Sequence, residues 1–365
     1  MNRNLSLTQT RYDRAQARNE MENLMEDRKI RTAVIGLGVG SGHVHAYKAM
    51  PNAELVAICD LSEPWLKYCQ NDWNVAVGYT DYRELLASDD IDAVSIALPT
   101  KLHAEATIEA LEAGKHVLVE KPMAVTTAEA QSMADAAKRT GRVLMVSYNQ
   151  RFGQDVMFLK RYIEEGNLGD IYFARTMWRR PMGCLPPPMA DRPTGAYNRN
   201  WFNEADNGGG VARDLGSHVI DIAMWLMGFP EVQDVAGRAF NMFLPEFLAG
   251  KGVKCDADDH SVGFVRFTNG ACLQIEAAFG SYADGEKIVT EIFGSKGGVF
   301  REAGQAPKLF SKATGTYTTT VPRLAEPQTS AQAEFVNAIL SGKSPVVTPD
   351  QGVAVTRIID GIYGK

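Results

Sequence analysis

Between Arg31 and Val146, short and almost uninterrupted apolar runs alternate with longer segments of helical spacing, and this alternation limits the fold more than any other feature. The runs "TAVIG", "AELVAIC", "DAVSIAL", "HVLVE" and "RVLMVS" lack the polar-apolar alternation of a strand with one wet face. They suit parallel strands covered on both sides. Between them stand "HVHAYKAM", "EPWLKYCQNDW", "DYRELLAS", "KLHAEATIEALEAG" and "TAEAQSMADAAKRTG". Several open on Ser, Thr or Asp or close on Gly, as helix ends do. Repeated strand-helix alternation predicts a doubly wound sheet.

After Arg151 the texture changes. "DVMFLKRYIEEGNLG" reads as a helix ending at Gly166 and "DIYFARTMWRR" as a strand, followed by an irregular stretch from Pro181 to about Asn207. Then "SVGFVRFTNG", "ACLQIEAAFG", "KIVTEIFG" and "GVFRE" follow one another with Gly-rich turns between them. Such strands predict a mostly antiparallel sheet. Helices over residues 329–341 and 350–363 close the sequence and are expected to pack back toward the first domain. The fold class is therefore α/β: an N-terminal dinucleotide-binding domain over residues 31–150, then an α+β domain with a large open sheet over 151–365. A chain of 365 residues exceeds what one core usually serves, which agrees with two domains.

A formal net charge of -6 gives no footprint for nucleic acid or an anionic membrane. No segment reaches a membrane-spanning apolar length. Five scattered cysteines, odd in number and without a C-x-x-C pair, suit reduced thiols and a cytoplasmic location. Residues 1–30 form a charged arm with no apolar leader core. Met21, Leu24 and Met25 stand at helical spacing within it, so it reads either as a solvated tail or as a short amphipathic helix docked on a neighbouring subunit.

"AVIGLGVGSGHVHAY" puts Gly36 and Gly38 at the exit of the first strand and Gly42 at the opening of a helix. Glycines there let the backbone approach a pyrophosphate, which rests on the N–H groups of the helix N-terminus. The G-x-G-x-x-x-G spacing is one residue longer than the standard Rossmann pattern, and glycine turns also serve purely structural ends. Asp60, at the end of the second run, stands where an acid would bind a ribose diol. Its carboxylate would repel a 2′-phosphate, so NAD is expected and NADP is disfavoured. His43 and His45 open the helix and are assigned no catalytic role.

Glu120, Lys121 and Pro122 follow the fifth run, at the sheet edge where such folds bind ligands. From position alone, a fixed lysine facing a substrate hydroxyl and a surface lysine ending a strand are equal readings. Further on, Asp214, His218, Asp221 and Trp225 recur at steps of four, three and four beside the apolar stripe Leu215, Val219, Ile222 and Leu226. Asp214 and His218 are close enough to share a substrate hydroxyl, with the carboxylate expected to raise the imidazole pKa. A capping Asp and a satisfied buried His would explain the same residues. The stretch from Arg179 to Asn207 offers Arg179, Arg180, Tyr197, Arg199, Asn200 and Trp201 for a sugar ring, with Asn149 and Arg151 at the domain crossing.

"EAGKHVLVEKP" resembles the defining motif of the glucose-fructose oxidoreductase, inositol dehydrogenase and rhizopine-catabolism (Gfo/Idh/MocA) family. "ALPTKLHAEATIEAL" before it, and "VSYNQRF", "NGGGVARDLGSHVIDIAMWLMG", "FVRFTNG", "FGSKGGV" and "SGKSPVVTPDQG" after it, resemble other landmarks of that family. The resemblance implies that Lys121 is catalytic, that Asp214 and His218 are its partners, and that Pro99, Thr100, His103 and Glu120 border the cofactor. It also implies a cis peptide between Lys121 and Pro122. The implied activity is NAD-dependent oxidation of a secondary ring hydroxyl of a sugar, cyclitol or glycoside, with a 3-keto sugar among the products the family forms. Sugar reductases, glycosidases that oxidise transiently with NAD, and non-catalytic sugar or NAD sensors are the alternatives. No metal is expected. A homo-oligomer, dimer or tetramer, would cover the open sheet.

Overall fold

The computed structural model describes residues 29–182, 202–249, 255–313 and 315–365. Its first sheet is built from Ile30–Ile35 (β1), Ala53–Cys59 (β2), Val77–Tyr79 (β3), Ala93–Ile96 (β4), His116–Val119 (β5) and Leu144–Val146 (β6). All neighbours are parallel, in the order β3-β2-β1-β4-β5-β6. The order reverses between β1 and β4, which opens a crevice at the carboxyl ends of those strands. Five of the six strands coincide with the apolar runs of the sequence. β3 was hidden, because three residues with a central Gly make no recognisable run.

Helices Ser41–Ala49 (α1), Glu63–Trp73 (α2), Tyr82–Leu86 (α3), His103–Glu112 (α4) and Thr127–Thr140 (α5) connect these strands. α5 starts with a capping box between Thr126 and Glu129 and stops at Gly141 in the left-handed region. α1 is different, with no side-chain cap and no acidic residue in its first turn.

Gln154–Glu164 (α6) leads into the second sheet. That sheet comprises Ile171–Pro181 (β7), Val232–Phe240 (β8), His260–Phe267 (β9), Cys272–Ser281 (β10), Lys287–Gly294 (β11), Gly297–Glu302 (β12), Lys308–Ala313 (β13) and Thr316–Thr320 (β14). Its order is β14-β13-β12-β11-β7-β10-β9-β8, and only β7 with β10 runs parallel among the described residues. Ser217–Leu226 (α7) lies on its inner face with every residue buried, as a helix enclosed on all sides must be. Leu244–Ala249 (α8), Ala331–Ser341 (α9) and Pro349–Ile362 (α10) complete the described helices.

α10 runs between the two sheets. Asp360 near its end accepts hydrogen bonds from the backbone N–H and the hydroxyl of Thr127, which opens α5. Ile362 presses against Gly237 of β8 and Gly263 of β9, where a Cβ would lie within 3 Å of it. Small residues there let the helix sit directly on the strands.

Candidate active site

β1 ends in the glycine turn. Gly36 has φ of 89°, and a Cβ on it would stand 2.5 Å from the carbonyl oxygen of Ala97, so only glycine lets β1 exit against β4. Gly40, which the sequence reading passed over, is as constrained: its Cβ would stand 2.0 Å from the Gly36 oxygen. Gly42, by contrast, is exposed with open space around it, and Gly38 is buried in the turn. Asp60 pins this turn from β2, one carboxylate oxygen accepting the Leu37 N–H and the other the Ser62 N–H, each at 3.0 Å. The start of α1, which no side chain caps, lies directly beyond.

On the other side of the crevice, Pro99 leads into a single tight turn over Thr100–Leu102. The Thr100 hydroxyl is buried and has no hydrogen-bond partner among the described residues. His103 is buried, with its two ring nitrogens 2.9 Å from the Pro122 oxygen and 2.8 Å from the Leu98 oxygen. It therefore braces the loop from within instead of facing the crevice.

Lys121 follows β5, and its peptide to Pro122 is cis. Its ammonium stands 2.5 Å from Asp214 Oδ1 and 3.4 Å from the Asp214 carbonyl oxygen. Asp214 does not lie on a regular α-helix. Residues Ala212–Gly216 wind as a π-turn ahead of α7, a distortion that often marks a functional position. That turn is anchored on both flanks. Asp258 accepts the Ala212 N–H and the Tyr363 hydroxyl, and Arg213 donates to the oxygens of Gly209 and Val125 while covering the Tyr363 ring.

His218, one turn further on, is 7% exposed, and its Nδ1 has no hydrogen-bond partner among the described residues. Burial foremost, and then the Lys121 charge, push the imidazole down to about 3, against the pull of Asp214 and Glu120. The expectation of a raised pKa was thus wrong in sign: desolvation exceeds the attraction of the neighbouring carboxylate. The result is a neutral imidazole at ordinary pH.

Glu120 is turned inward. His43 Nε2 lies 2.9 Å from its Oε1, and the Lys121 N–H donates to its Oε2. Burial pushes its carboxyl up, but His43, Lys121 and Ser147 outweigh that and hold it down at about 2.

Other candidates stand elsewhere. Arg151, a substrate candidate from its place at the domain crossing, is fully buried and pairs with Asp221, with Gln351 as a further acceptor. Asp221 is therefore its structural partner and not part of a substrate-facing stripe. Arg179 sits on the outer face of the second sheet near Glu276, because alternate residues of a strand point to opposite sides. The inner face belongs to Trp178 and Arg180, which the strand period itself signals once the buried Ala174 and Thr176 are seen to share it. Trp178 lies with its ring centroid 5.6 Å from that of His218, and Glu286 accepts from both Trp178 Nε1 and Arg180 Nε. Asn149 is exposed at the turn after β6. Tyr197 and Trp201, with Arg199 and Asn200, lie outside the described residues.

The amino-terminal part of the chain, residues 30–148, matches the model of an oxidoreductase family with an NAD-binding Rossmann fold, GFO_IDH_MocA. Residues 156–300 match the GFO/IDH/MocA C-terminal domain. The chain belongs to the Gfo/Idh/MocA oxidoreductases. Among relatives of this family, the D-glucoside 3-dehydrogenase of Escherichia coli (strain K12) is 28% identical over 94% of this chain and 97% of its own. The levoglucosan dehydrogenase of Pseudarthrobacter phenanthrenivorans is 31% identical over 74% of this chain and 73% of its own. A solved levoglucosan dehydrogenase, in complex with NADH and levoglucosan, superposes with a TM-score of 0.78 at 26% identity, covering 92% of this chain and 96% of that one.

As a Gfo/Idh/MocA protein the chain is an oxidoreductase that uses NAD. Its own residues fit that cofactor: a glycine turn pinned by Asp60, an uncapped helix start without acid, and, across the crevice, the Thr100 hydroxyl, which has no partner among the described residues. Among the described residues, no cluster of His, Cys, Asp or Glu is arranged to hold a metal ion.

Proposed function

We propose that the protein oxidises a secondary ring hydroxyl of a sugar, cyclitol or glycoside, with Lys121, Asp214 and His218 as the reacting side chains. The observation that carries this reading is the Lys121–Asp214 pair standing beside an imidazole whose Nδ1 is buried and has no partner among the described residues. The names of the relatives, a glucoside dehydrogenase and a levoglucosan dehydrogenase among them, support the substrate class.

Asp60 and the start of α1 would hold the dinucleotide, and NAD when bound supplies the hydride acceptor. His218, neutral at ordinary pH, takes the hydroxyl proton. Lys121 hydrogen-bonds the oxygen as it gains negative charge, a role that often contributes most to lowering the barrier. Asp214 fixes the ammonium by its ion pair and thereby keeps Lys121 in register with His218. Trp178 and Arg180, tied together by Glu286, border the same space and would contact the ring away from the reacting carbon. The carboxylate of Asp60 favours NAD over NADP.

The outer face of the second sheet exposes Val262, Phe264 and Phe310, and we propose that a second copy of the chain covers it. The free thiols Cys59, Cys255 and Cys272 support a reducing compartment, the cytoplasm.

The test is a screen of free sugars, inositols and glycosides with NAD and with NADP, reading reduced nicotinamide by absorbance. Substrate-dependent NADH is the expected result. Sugar release without NADH would identify a glycosidase instead, and binding without turnover a sensor.

A further inference from the structure

The backbone leaves the first sheet at Glu120, whose N–H makes the last bond to β4 through the Ile96 oxygen. Beyond that bond, the direction of Lys121 depends on what holds the residues beside it. Two buried histidines do so from different helices: His103 of α4 meets the Pro122 oxygen, and His43 of α1 meets the Glu120 carboxylate. His43 is 2% exposed and is itself fixed, with its Nδ1 3.0 Å from Ser95 Oγ on β4. Ser95 Oγ lies 2.7 Å from the hydroxyl of Tyr47, one turn along α1. One proton arrangement satisfies every member of the chain: Tyr47 donates to Ser95, Ser95 to His43 Nδ1, and His43 Nε2 to Glu120.

We propose that His43 is a positioning residue for Lys121: through Glu120 it ties the helix that begins at the glycine turn to the lysine, so that cofactor seat and lysine form one rigid unit. This inference rests on the reading of Lys121 as catalytic. Its physical content is that a side chain held at both ends is worth more to catalysis than to folding, since small displacements of a reacting group are costly.

The experiment compares the full-length variants His43→Leu, His43→Gln, Glu120→Gln, the double variant His43→Leu/Glu120→Gln, and Lys121→Ala as a control. Turnover is measured across pH, with dinucleotide affinity by fluorescence and thermal stability alongside. The expected result is a fall in kcat of on the order of 10- to 100-fold for His43→Leu, with dinucleotide affinity within about 3-fold. His43→Gln, whose amide still donates to Glu120, should recover most of the loss. The double variant should be no worse than the poorer single one, because both act through the same bond. The charged and titratable groups facing Glu120 are His43, Lys121, His103 and His218. Losing His43 therefore moves the acid limb of kcat to higher pH, which a mere loss of folded protein would not do. If His43→Leu leaves kcat unchanged, or if its loss and that of Glu120→Gln simply multiply, the inference is wrong. If Lys121→Ala itself turns over normally, the underlying reading fails and not this link alone. The double variant leaves no buried carboxylate without its partner, so it keeps the test valid should His43→Leu fail to fold.

Discussion

Lys121 Nζ and Asp214 Oδ1 stand 2.5 Å apart although they lie 93 positions apart in the sequence and in different domains. One follows a parallel strand of the nucleotide domain, the other sits in a π-turn over the second sheet. The ion pair is thus a point where the two domains meet.

Replacing either partner tests that. Lys121→Ala should lower kcat by on the order of 10²–10³, the cost of losing a donor to a developing oxyanion, while dinucleotide affinity changes little. Asp214→Asn should act in the same direction but less, since the ammonium remains. Steady-state kinetics with a substrate from the screen reads both.

Stability should fall as pH is lowered, and in a defined order. His218 is held at about 3, below its ordinary 6.5, so from pH 6.5 downward the unfolded chain binds a proton that the folded chain refuses. His103, also depressed by burial, acts in the same direction. Glu120, held at about 2, adds stability that is complete above about pH 4.5 and lost toward pH 2. Denaturant midpoints measured from pH 7 to pH 4 should therefore decline, and His218→Gln should flatten the upper part of that decline. A curve unchanged by this substitution would contradict the buried neutral imidazole.

Arg151 and Trp178 should separate stability from recognition. Arg151→Ala leaves Asp221 buried without its partner and should cost about 3–5 kcal/mol, seen in the denaturant midpoint, with KM for the sugar unaltered in the folded protein. Trp178→Ala should instead raise that KM roughly tenfold, about 1.4 kcal/mol of binding.

The glycine turn predicts an asymmetry of its own. Gly40→Ala must displace the Gly36 carbonyl and should lower the melting temperature measurably, whereas Gly42→Ala meets open space and should leave it within a degree or two or raise it slightly.

Much of this was legible because it depends on patterns the sequence carries locally. The parallel strands show as apolar runs since burial on both faces leaves little room for polar residues, and "EKP" stands out by following one of them directly. What escaped depends on contacts made at long range. Nothing near Arg151 announces that Asp221 waits for it in the core, and a crossing between domains looks the same whether its arginine meets a ligand or a carboxylate. The π-turn was invisible because an Asp and a His four apart fit a regular helix equally well. β8, β13 and β14 lack a sustained buried face and so gave no apolar alternation to read. Arg179 and Arg180 were offered together, and the two-residue period of β7 places them on opposite faces.

Tyr363 and Asp360 reach back from α10 to the anchors of the π-turn and of α5. In the order of synthesis this means that the nucleotide domain, whose strands all precede residue 147, has its pairing partners long before the lysine acquires its final surroundings. Asp214 is translated midway, yet its seat is finished only when residue 363 has left the ribosome. The end of α10 thus completes both domains at once, the start of α5 through Asp360 and the seat of Asp214 through Tyr363.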